Sequence, residues 1–529
     1  MKCSNFLAAA LVAVSSALAQ DVSTNSVGTD SVNSSWQPAT LSTADARNKL
    51  NQAGTCCTAL SLVLGGSKVS YAGNAPYSAS LASYWTLQES NVHPKCIVSP
   101  ANAQDVSLAL FVLKVGNTVF PGQCNFAIRS GGHTPFAGAA NIEAGITIDL
   151  SALNQVTVSA DRTQVVIGPG NRWAGVYSQL DAKNLATSGG RVASVGVGGL
   201  TTGGGISFFS PRYGFVCDNV LNFDVVLASG QLVQANSKSN PDLWKALKGG
   251  SNNFGVVTAF TMRAFDQGKF WGGFIGIDIS TIEQQFKAFS KILGSPTYDP
   301  FAAVIYSLVF DPVSGTWSVA AQLAYTKPQA NPPFLQPLTS LPQTFSTMRI
   351  SNLTDFTVEL DASNPIGRRQ LFATGTYGNS VDIMRAIWQI SNSTVQPLRR
   401  IPNFKWSVSY QPEPTVITTK AASTGGNSLG LDASDGNIFN VLLTASWDNA
   451  SDDAAVNAAA QSLFSQAAAK AQSLGVYNQY LYLNYAAPWQ DPISGYGVAA
   501  KSSLQAASKK YDPDQTFQKN VPGGFKLFK

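Results

Sequence analysis

Arg129-Ser130-Gly131-Gly132-His133 directly follows residues 125–128, a strand-like run, and breaks it with two consecutive glycines. Glycine allows a sharp backbone turn and lets a ligand approach the chain closely. Successive N–H groups in such a turn form a concave anion site, to which Arg129 adds positive charge. A single histidine is usually a turn or surface residue, but His133 follows the double glycine at once. The pattern favours a site for a ligand that carries a diphosphate.

A second glycine-rich region has the wrong composition for a linker. It contains Gly189-Gly190-Arg191, Gly196 to Gly199 and Gly203-Gly204-Gly205. Flexible linkers are polar and rich in serine, whereas apolar residues separate these glycines: Val192, Val195, Val197, Leu200 and Ile206. We therefore predict a buried loop packed against a flat ligand. The dinucleotide-binding pattern G-x-G-x-x-G is not met, because Thr201 stands where the third glycine belongs.

Length and composition indicate a globular protein of two or more domains. The chain has 529 residues, of which 44% are hydrophobic and only 12% are charged. One hydrophobic core rarely extends over so long a chain. The formal charge of +5 is small for this size, and no dense Lys/Arg cluster occurs. We therefore expect no nucleic-acid partner.

The amino terminus predicts export. Lys2, an apolar run over residues 6–14 and Ala17-Leu18-Ala19 form a signal-peptide pattern over residues 1–19. The apolar run is shorter than the roughly 20 residues that span a bilayer, so no membrane anchor is expected. Residues 20–45 are rich in Ser, Thr, Asn and Asp and predict a mobile leader. A secreted, extracellular glycoprotein agrees with the N-x-S/T sequons at Asn33, Asn352, Asn392 and Asn449.

Cysteine usage fits an oxidising compartment. Five cysteines remain after removal of the signal peptide: Cys56, Cys57, Cys96, Cys124 and Cys217. We expect Cys56 and Cys57 to pair with Cys96 and Cys124, in an order that the sequence leaves open, and Cys217 to stay free. With no CxxC motif and only two histidines in the chain, no metal site is predicted.

The pattern of predicted strands and helices changes near residue 270. Before it, short runs alternate, with predicted strands at 96–98, 125–128, 146–150, 165–168, 220–227 and 256–262 and helices at 105–115, 173–180 and 242–248. After it, we predict long strands at 274–279, 304–310 and 316–325, helices at 281–293 and 453–474, and near the end a strand at 480–485 and a helix at 504–510. This pattern predicts an α+β fold, with an antiparallel sheet that carries helices on one face.

Several segments, in this order, resemble FAD-linked oxidases of the vanillyl-alcohol oxidase superfamily. They are RSGGHTPFAG (129–138), SVGVGGLTTGGGIS (194–207), RYGFVCDNV (212–220) and GGSNNFGVVT (249–258). The chain is most similar to the berberine-bridge-enzyme-like branch in its fungal secreted form, whose tail YLYLNY and YDPDQTF resemble. The resemblance covers roughly residues 56–529.

The resemblance implies a PCMH-type FAD-binding domain in two lobes over residues 46–268, with a core at about 92–268. A substrate-binding domain would follow over 269–478, and a segment over 479–529 would return to the FAD domain. The implied activity is that of an oxidase. It would transfer a hydride from an alcohol, sugar or secondary-metabolite C–H to flavin N5, with O2 giving H2O2.

The resemblance also implies how FAD is held. His133 would bond through its ring to the flavin 8α-methyl group, whereas Val192 stands where many members have a second linking cysteine. One covalent bond is therefore expected. Val195 occupies the position where O2 reaches the flavin, which favours an oxidase. The implied cofactor-binding residues are Arg129, Ser130, Gly131, Gly132, His133, Thr134, Gly138, Ser194, Val195, Gly198, Gly199, Thr202, Gly203, Gly204, Gly205, Gly255, Val256, Val257 and Asn484.

The reaction needs a base for the substrate proton. Tyr482-Leu483-Asn484-Tyr485 is similar to the Y-x-N-Y strand that supplies a tyrosine base in relatives. We assign the base to Tyr482, with Tyr485 as the second candidate. On a strand, Tyr482 and Asn484 would share one face and Tyr485 would point the other way. A nearby cation has to lower the pKa of the tyrosine, and the sequence does not identify that cation.

Two other functions stay open at this point. The chain is also compatible with a flavin dehydrogenase that uses another acceptor, or with a non-catalytic secreted protein that keeps the fold. The expected partners are a small-molecule substrate and O2, with neither nucleic acid nor membrane, and a monomer is expected. The sequence does not distinguish an alcohol, an oligosaccharide, an amine or a secondary metabolite as substrate.

Overall fold

A computed structural model describes residues 41–529. The predicted signal peptide, the Asn33 sequon and residues 20–40 of the expected leader lie outside the described residues. Helix α1 (Thr43–Ala53) begins inside the stretch expected to be a leader, because the Ser42 hydroxyl accepts a hydrogen bond from the Asp45 N–H and caps the helix. Over the range 41–529, no helix is both long and apolar enough to cross a membrane.

The first lobe packs helices on a small, mostly parallel sheet with strand order β1-β2-β4-β3, in which β2 and β3 run parallel to β4. Its elements are α1 (Thr43–Ala53), α2 (Cys56–Leu64), β1 (Val69–Ser70), α3 (Ala75–Ala82), α4 (Leu87–Ser90), β2 (Cys96–Val98), α5 (Ala103–Val119), β3 (Phe126–Arg129) and β4 (Ile146–Asp149).

The cysteines resolve the pairing that the sequence left open. Cys56 bonds to Cys124 and Cys57 to Cys96, with Cα–Cα distances of 5.8 and 6.0 Å. The Cys57–Cys96 disulfide ties helix α2 to strand β2, and the Cys56–Cys124 disulfide ties it to the loop before β3. Cys217 is buried and unbonded to any other cysteine in the described part of the chain.

The second lobe is an antiparallel sheet with strand order β5-β6-β10-β8-β9, beside the short pair β7 and β11. Its elements are β5 (Val156–Val158), β6 (Gln164–Ile167), α6 (Trp173–Asp181), β7 (Leu185–Ala186), α7 (Val197–Thr202), α8 (Ser210–Tyr213), β8 (Val220–Val226), β9 (Leu232–Asn236), α9 (Pro241–Leu247), β10 (Val256–Arg263) and β11 (Phe265–Asp266).

The third region is a nine-stranded antiparallel sheet of order β15-β12-β14-β13-β18-β19-β17-β20, with β16 also pairing to β12. Its strands are β12 (Phe270–Ile277), β13 (Ala302–Asp311), β14 (Thr316–Tyr325), β15 (Gln343–Ser346), β16 (Arg349–Ser351), β17 (Arg369–Gly378), β18 (Lys405–Glu413), β19 (Ile438–Trp447) and β20 (Tyr477–Asn478). Its helices are α10 (Ile282–Leu293), α11 (Gln336–Thr339), α12 (Leu353–Asp361), α13 (Val381–Val395), α14 (Thr415–Thr418) and α15 (Asp453–Ser473).

The two faces of this large sheet have different neighbours, as alternation along a strand requires. On β13, Tyr306 and Leu308 lie in the core formed with α10, α13 and α15, and the Tyr306 ring is 6.2 Å from the ring of Phe286. Ser307 and Val309, between and beyond them, face a large cavity instead. The predicted α+β fold, with helices on one face of an antiparallel sheet, is confirmed.

The predicted strand at 480–485 is wrong. Leu483–Tyr485 forms one 3₁₀ turn, closed by a 2.9 Å hydrogen bond from the Tyr485 N–H to the Tyr482 carbonyl. The turn brings both tyrosines to the same cavity, with ring centroids 4.7 Å apart, so the expected opposite orientation of Tyr485 is wrong too. The other predicted elements are present, although the helix predicted at 504–510 begins earlier, at Val498.

The last segment carries helices α16 (Pro492–Gly495), α17 (Val498–Tyr511) and α18 (Thr516–Lys519) and contacts both preceding lobes. The Phe126 N–H donates to the Asn520 carbonyl at 2.8 Å in the first lobe. The Asn253 side chain donates to the Phe525 carbonyl at 2.9 Å in the second. These contacts fix the end of the last segment against both lobes.

Candidate active site

A cavity of about 920 Å³ lies between the two glycine-rich loops and the face of the large sheet that carries no helices. Segments from both lobes, the sheet and the last segment reach it. The predicted residues that line it are Ser130, Gly131, Gly132, His133, Thr134, Val195, Gly198, Gly199, Thr202, Gly255, Val256, Val257, Tyr482, Asn484 and Tyr485. Val192 lines it as well.

The two glycine-rich loops touch backbone to backbone. A Cβ on Gly131 would lie 2.4 Å from the Cα of Gly196, and a Cβ on Gly196 would lie 2.4 Å from the Gly131 nitrogen. Ser130 fastens the crossing, because its hydroxyl donates to the Pro169 carbonyl at 2.5 Å and accepts from the Gly198 N–H at 3.0 Å. The glycines are therefore needed for the close approach of two chain segments.

His133 enters the cavity from the first of these loops. Its ring stacks on Trp85, with centroids 4.1 Å apart and an angle of 9° between the planes. Its Nε2 is buried and has no hydrogen-bond partner. Burial, helped by the charge of Arg172, lowers the pKa of His133 to about 3. The imidazole is therefore neutral near pH 7 and keeps a nitrogen lone pair.

Tyr482 is buried and bound to an amide. Its hydroxyl accepts a 2.9 Å hydrogen bond from the Asn484 side chain, which also donates to the Leu200 carbonyl at 3.0 Å. Burial raises the pKa of Tyr482 well above its ordinary value, and the Asn484 hydrogen bond and the charge of Arg191 offset only part of that. The environment of Tyr482 favours the neutral phenol.

Tyr485 is the tyrosine in contact with a cation. The Arg191 guanidinium donates to the Tyr485 hydroxyl at 2.8 Å and to Oε1 of Gln411 at 2.5 Å. The side chain of Tyr485 lies 3.3 Å from the same Gln411 oxygen. Arg191 is only 8% exposed, so water screens its charge weakly. Arg191 is a buried cation beside the tyrosine turn, and its direct contact is with Tyr485 rather than Tyr482.

Three predicted cofactor-binding residues do not line the cavity and have partners within the protein. Arg129 is 3% exposed and pairs with Asp149 at 3.3 Å, so its charge is not directed at a ligand as expected. The Gly138 N–H donates to the Glu89 carboxylate at 3.1 Å. The Ser194 N–H donates to Asp361 at 3.2 Å, and its hydroxyl contacts the same carboxylate.

Gly203, Gly204 and Gly205 also lie behind the cavity wall and shape the second loop. A Cβ on Gly203 would lie 2.2 Å from the side-chain oxygen of Asn484, so the loop and the tyrosine turn fit together only with glycine here. Gly204 has φ +110° and Gly205 has φ +84°, backbone angles that L side chains rarely adopt. These glycines fix the shape of the second loop and do not themselves line the cavity.

The sequence prediction missed three residues of the site: Trp85, Arg191 and Gln411. Arg191 directly follows a predicted glycine pair, and its position in a buried loop was a usable signal for the missing cation. Trp85 and Gln411 carry no such signal, because their places depend on packing between segments far apart in the chain.

Comparison with known proteins agrees with this geometry. Residues 94–236 match the FAD binding domain family. The chain is 41% identical over 485 residues to the FAD-dependent monooxygenase CTB5 of Cercospora beticola, which covers 89% of this chain and 92% of that protein.

Solved structures of low sequence identity share the fold. 6-Hydroxy-D-nicotine oxidase from Arthrobacter nicotinovorans superposes with a TM-score of 0.70 at 20% identity, over 85% of this chain and 96% of that one. Glucooligosaccharide oxidase from Acremonium strictum, which carries a 6-S-cysteinyl, 8α-N1-histidyl FAD, superposes with a TM-score of 0.69 at 17% identity, over 86% of this chain and 97% of that one.

The backbone crossing yields a first prediction. Gly196→Ala should lower the free energy of unfolding by roughly 3 kcal/mol, because the new methyl group meets backbone atoms that have no room to move. Gly199→Ala is the matched control in the same loop, since no atom lies within 4 Å of its added Cβ. Denaturant unfolding of both variants measures the difference, and equal midpoints would show that the crossing is not rigid.

Proposed function

This chain belongs to the family of FAD-dependent oxidoreductases that includes the monooxygenase CTB5, and on that premise we propose that it is an oxidase of the berberine-bridge-enzyme-like branch. It takes a hydride and a proton from an alcohol, a sugar or a secondary metabolite and passes two electrons to O2, giving H2O2. One observation carries the proposal: a neutral, unpartnered histidine and a tyrosine bound to a buried cation line the same cavity.

The residues present fit FAD. The cavity is large enough for an extended cofactor, its wall includes bare glycine backbone from both loops, and the Nε2 of His133 has no partner in the protein. Bound FAD supplies a two-electron acceptor for the reaction. His133 would hold it by one covalent bond through the imidazole. Val192, at the position where the resemblance places a second, cysteinyl link, offers no nucleophile, so no second bond is expected.

The covalent bond leads to a second prediction. Proteolysis and mass spectrometry should find one flavin-bearing peptide, which contains His133, and His133→Ala should release all flavin into the supernatant on acid precipitation. The reason is that the neutral imidazole is the cavity's available nitrogen nucleophile at the loop. A flavin peptide that spans Val192, or acid-stable flavin in His133→Ala, would contradict the single bond.

Tyr485 accepts the substrate proton. The Arg191 guanidinium stabilises a phenolate at the oxygen to which it donates, and a charged donor makes a stronger hydrogen bond than a neutral one. Tyr482 was our assignment from the sequence, but its burial and its amide partner favour the neutral form. Tyr482 instead supports the ring of Tyr485 at 4.7 Å and orients substrate in the cavity.

The third prediction compares the two tyrosines. Tyr485→Phe should lower the rate of anaerobic flavin reduction by roughly 10²-fold or more, the scale of a lost general base. Tyr482→Phe should lower it less, because the Arg191–Tyr485 hydrogen bond remains. Stopped-flow reduction with a substrate found by panel screening measures both. The opposite order would return the base to Tyr482, and normal rates in both variants would place it elsewhere.

Monooxygenase activity is the second candidate, because the relative that is 41% identical carries that name. Val195, a small apolar residue that lines the cavity at the position expected for O2 access, favours an enzyme that uses O2 over a dehydrogenase, and both candidates use O2. Turnover under ¹⁸O2 separates the two. We predict labelled H2O2 in a one-to-one ratio to product and no label in the organic product. One ¹⁸O atom in that product would establish a monooxygenase.

Export to the extracellular space is part of the same proposal. Two disulfides within residues 41–529 support an oxidising compartment, where such bonds persist. Of the sequons in that range, Asn449 is exposed and Asn352 and Asn392 are half-buried, so glycosylation is proposed first at Asn449. To test this, protein is recovered from the culture medium and its mass is measured before and after glycosidase treatment. The treatment should lower the mass.

A further inference from the structure

Strand β18 extends the cavity wall to a carboxyl group that the mechanism above does not use. Along this strand, every second residue from Lys405 to Gln411 lines the cavity. Because side chains alternate between the faces of a strand, Glu413 is the next residue on that face. It is 0% exposed and lies just beyond Gln411, the partner of Arg191 and Tyr485.

Both carboxyl oxygens of Glu413 are buried, and neither has a hydrogen-bond partner among residues 41–529. An unpaired buried carboxylate is costly, so such a group takes up a proton instead. Burial raises the pKa of Glu413 to about 8, which the charge of Arg191 partly offsets and that of Asp435 reinforces. The carboxyl group is therefore neutral near pH 7.

Four ionisable groups from other segments face Glu413. Arg191 comes from the second glycine-rich region and Asp435 from the loop before β19. Tyr480 and Tyr482 come from the last segment, and both phenols interact electrostatically with the Glu413 carboxyl group. The Tyr480 hydroxyl is also buried without a partner. Arg191 is thus the one cation of this group; it donates to Tyr485, and its charge also acts on Glu413 without a hydrogen bond.

We propose that Glu413 is a positioning residue that controls the charge available to Tyr485. While Glu413 is protonated, the positive charge of Arg191 is uncompensated and stabilises a phenolate at Tyr485. When Glu413 loses its proton to solvent, the negative carboxylate compensates the positive charge of Arg191. Arg191 then stabilises the Tyr485 phenolate less. The inference rests on the proposed role of Tyr485 as base and adds an alkaline limit to it.

The pH profile of flavin reduction tests the control directly. In the wild-type holoenzyme, the anaerobic reduction rate should fall by about 10-fold as the pH rises through 8, the scale of one charge in a weakly screened site. Glu413→Gln, which has the same shape and cannot ionise, should lose that alkaline limb. Asp435→Asn is the control that removes a neighbouring charge and leaves Glu413 in place; the alkaline limb should remain and move to lower pH, because the Asp435 charge raises the pKa of Glu413. An alkaline limb that survives in Glu413→Gln would overturn the proposal.

A second measurement needs no substrate. 4-Fluorophenylalanine at position 485 of the holoenzyme places a fluorine, which does not titrate, where the hydroxyl meets Arg191. Its ¹⁹F resonance should shift in one step near pH 8 with Glu413 present and show no step with Glu413→Gln. A step that persists in the variant, or its absence with Glu413 present, would show that the two groups are not coupled.

Folding is checked separately. Because the folded-state pKa of Glu413 lies above its ordinary value, the folded protein holds an extra proton between about pH 4.5 and 8, and stability falls as the pH rises through that window. Glu413→Gln should weaken that fall. If it does not fold, Glu413→Met, apolar and of similar length, replaces it in both measurements. If the flavin of Tyr485→Phe is reduced at the normal rate, Tyr485 is not the base. If flavin reduction in Tyr485→Phe is slow but the ¹⁹F resonance at position 485 does not follow Glu413, only the control by Glu413 is refuted.

Discussion

The contact between Gly131 and Gly196, where two backbones meet with no side chain between them, is the constraint on which the site depends. It fixes the distance between the loop that carries His133 and the loop that carries Val195. The hydrogen bonds of the Ser130 hydroxyl stabilise the crossing on one side, and an isolated antiparallel β-bridge between the backbones of Arg172 and Gly196 stabilises it on the other. Two segments far apart in the chain are thereby held as one wall.

The same wall positions the tyrosine turn. Asn484 donates to the Leu200 carbonyl, and its side chain occupies the space that a Cβ on Gly203 would fill. Tyr482 and Tyr485 are therefore held against the glycine loop rather than by a strand of their own. The large sheet completes the enclosure with one face, while its other face is fixed by the core under α10, α13 and α15. The large sheet makes the cavity wall rigid, and the glycines allow the two loops and the tyrosine turn to approach one another closely.

Patterns local to the sequence predicted most of the fold. Alternation identified β13 and β14, and the glycine clusters with His133 located the cavity wall. The failures occur where distant segments decide the structure. Alternating aromatic residues at 480–485 favour a strand, but no neighbouring strand pairs with them, and the Tyr485 N–H bonds to the Tyr482 carbonyl instead. The order of the disulfides, the stacking of Trp85 on His133 and the place of Gln411 likewise depend on packing that no single segment encodes.

The stability of the fold does not require a positive charge at Arg191. A guanidinium that is 8% exposed normally needs a carboxylate to offset the cost of leaving water. Its hydrogen-bond partners here, Gln411 and Tyr485, carry no formal charge as a carboxamide and a phenol, and the carboxyl group of Glu413 on the same side is held in the protonated form by its own burial. A fold selected for stability alone would gain by pairing or removing this charge. A site that must stabilise negative charge as it develops on a phenol or a substrate oxygen gains from leaving it unpaired, since a preoriented cation in a weakly screened cavity acts most strongly on the anion formed during reaction.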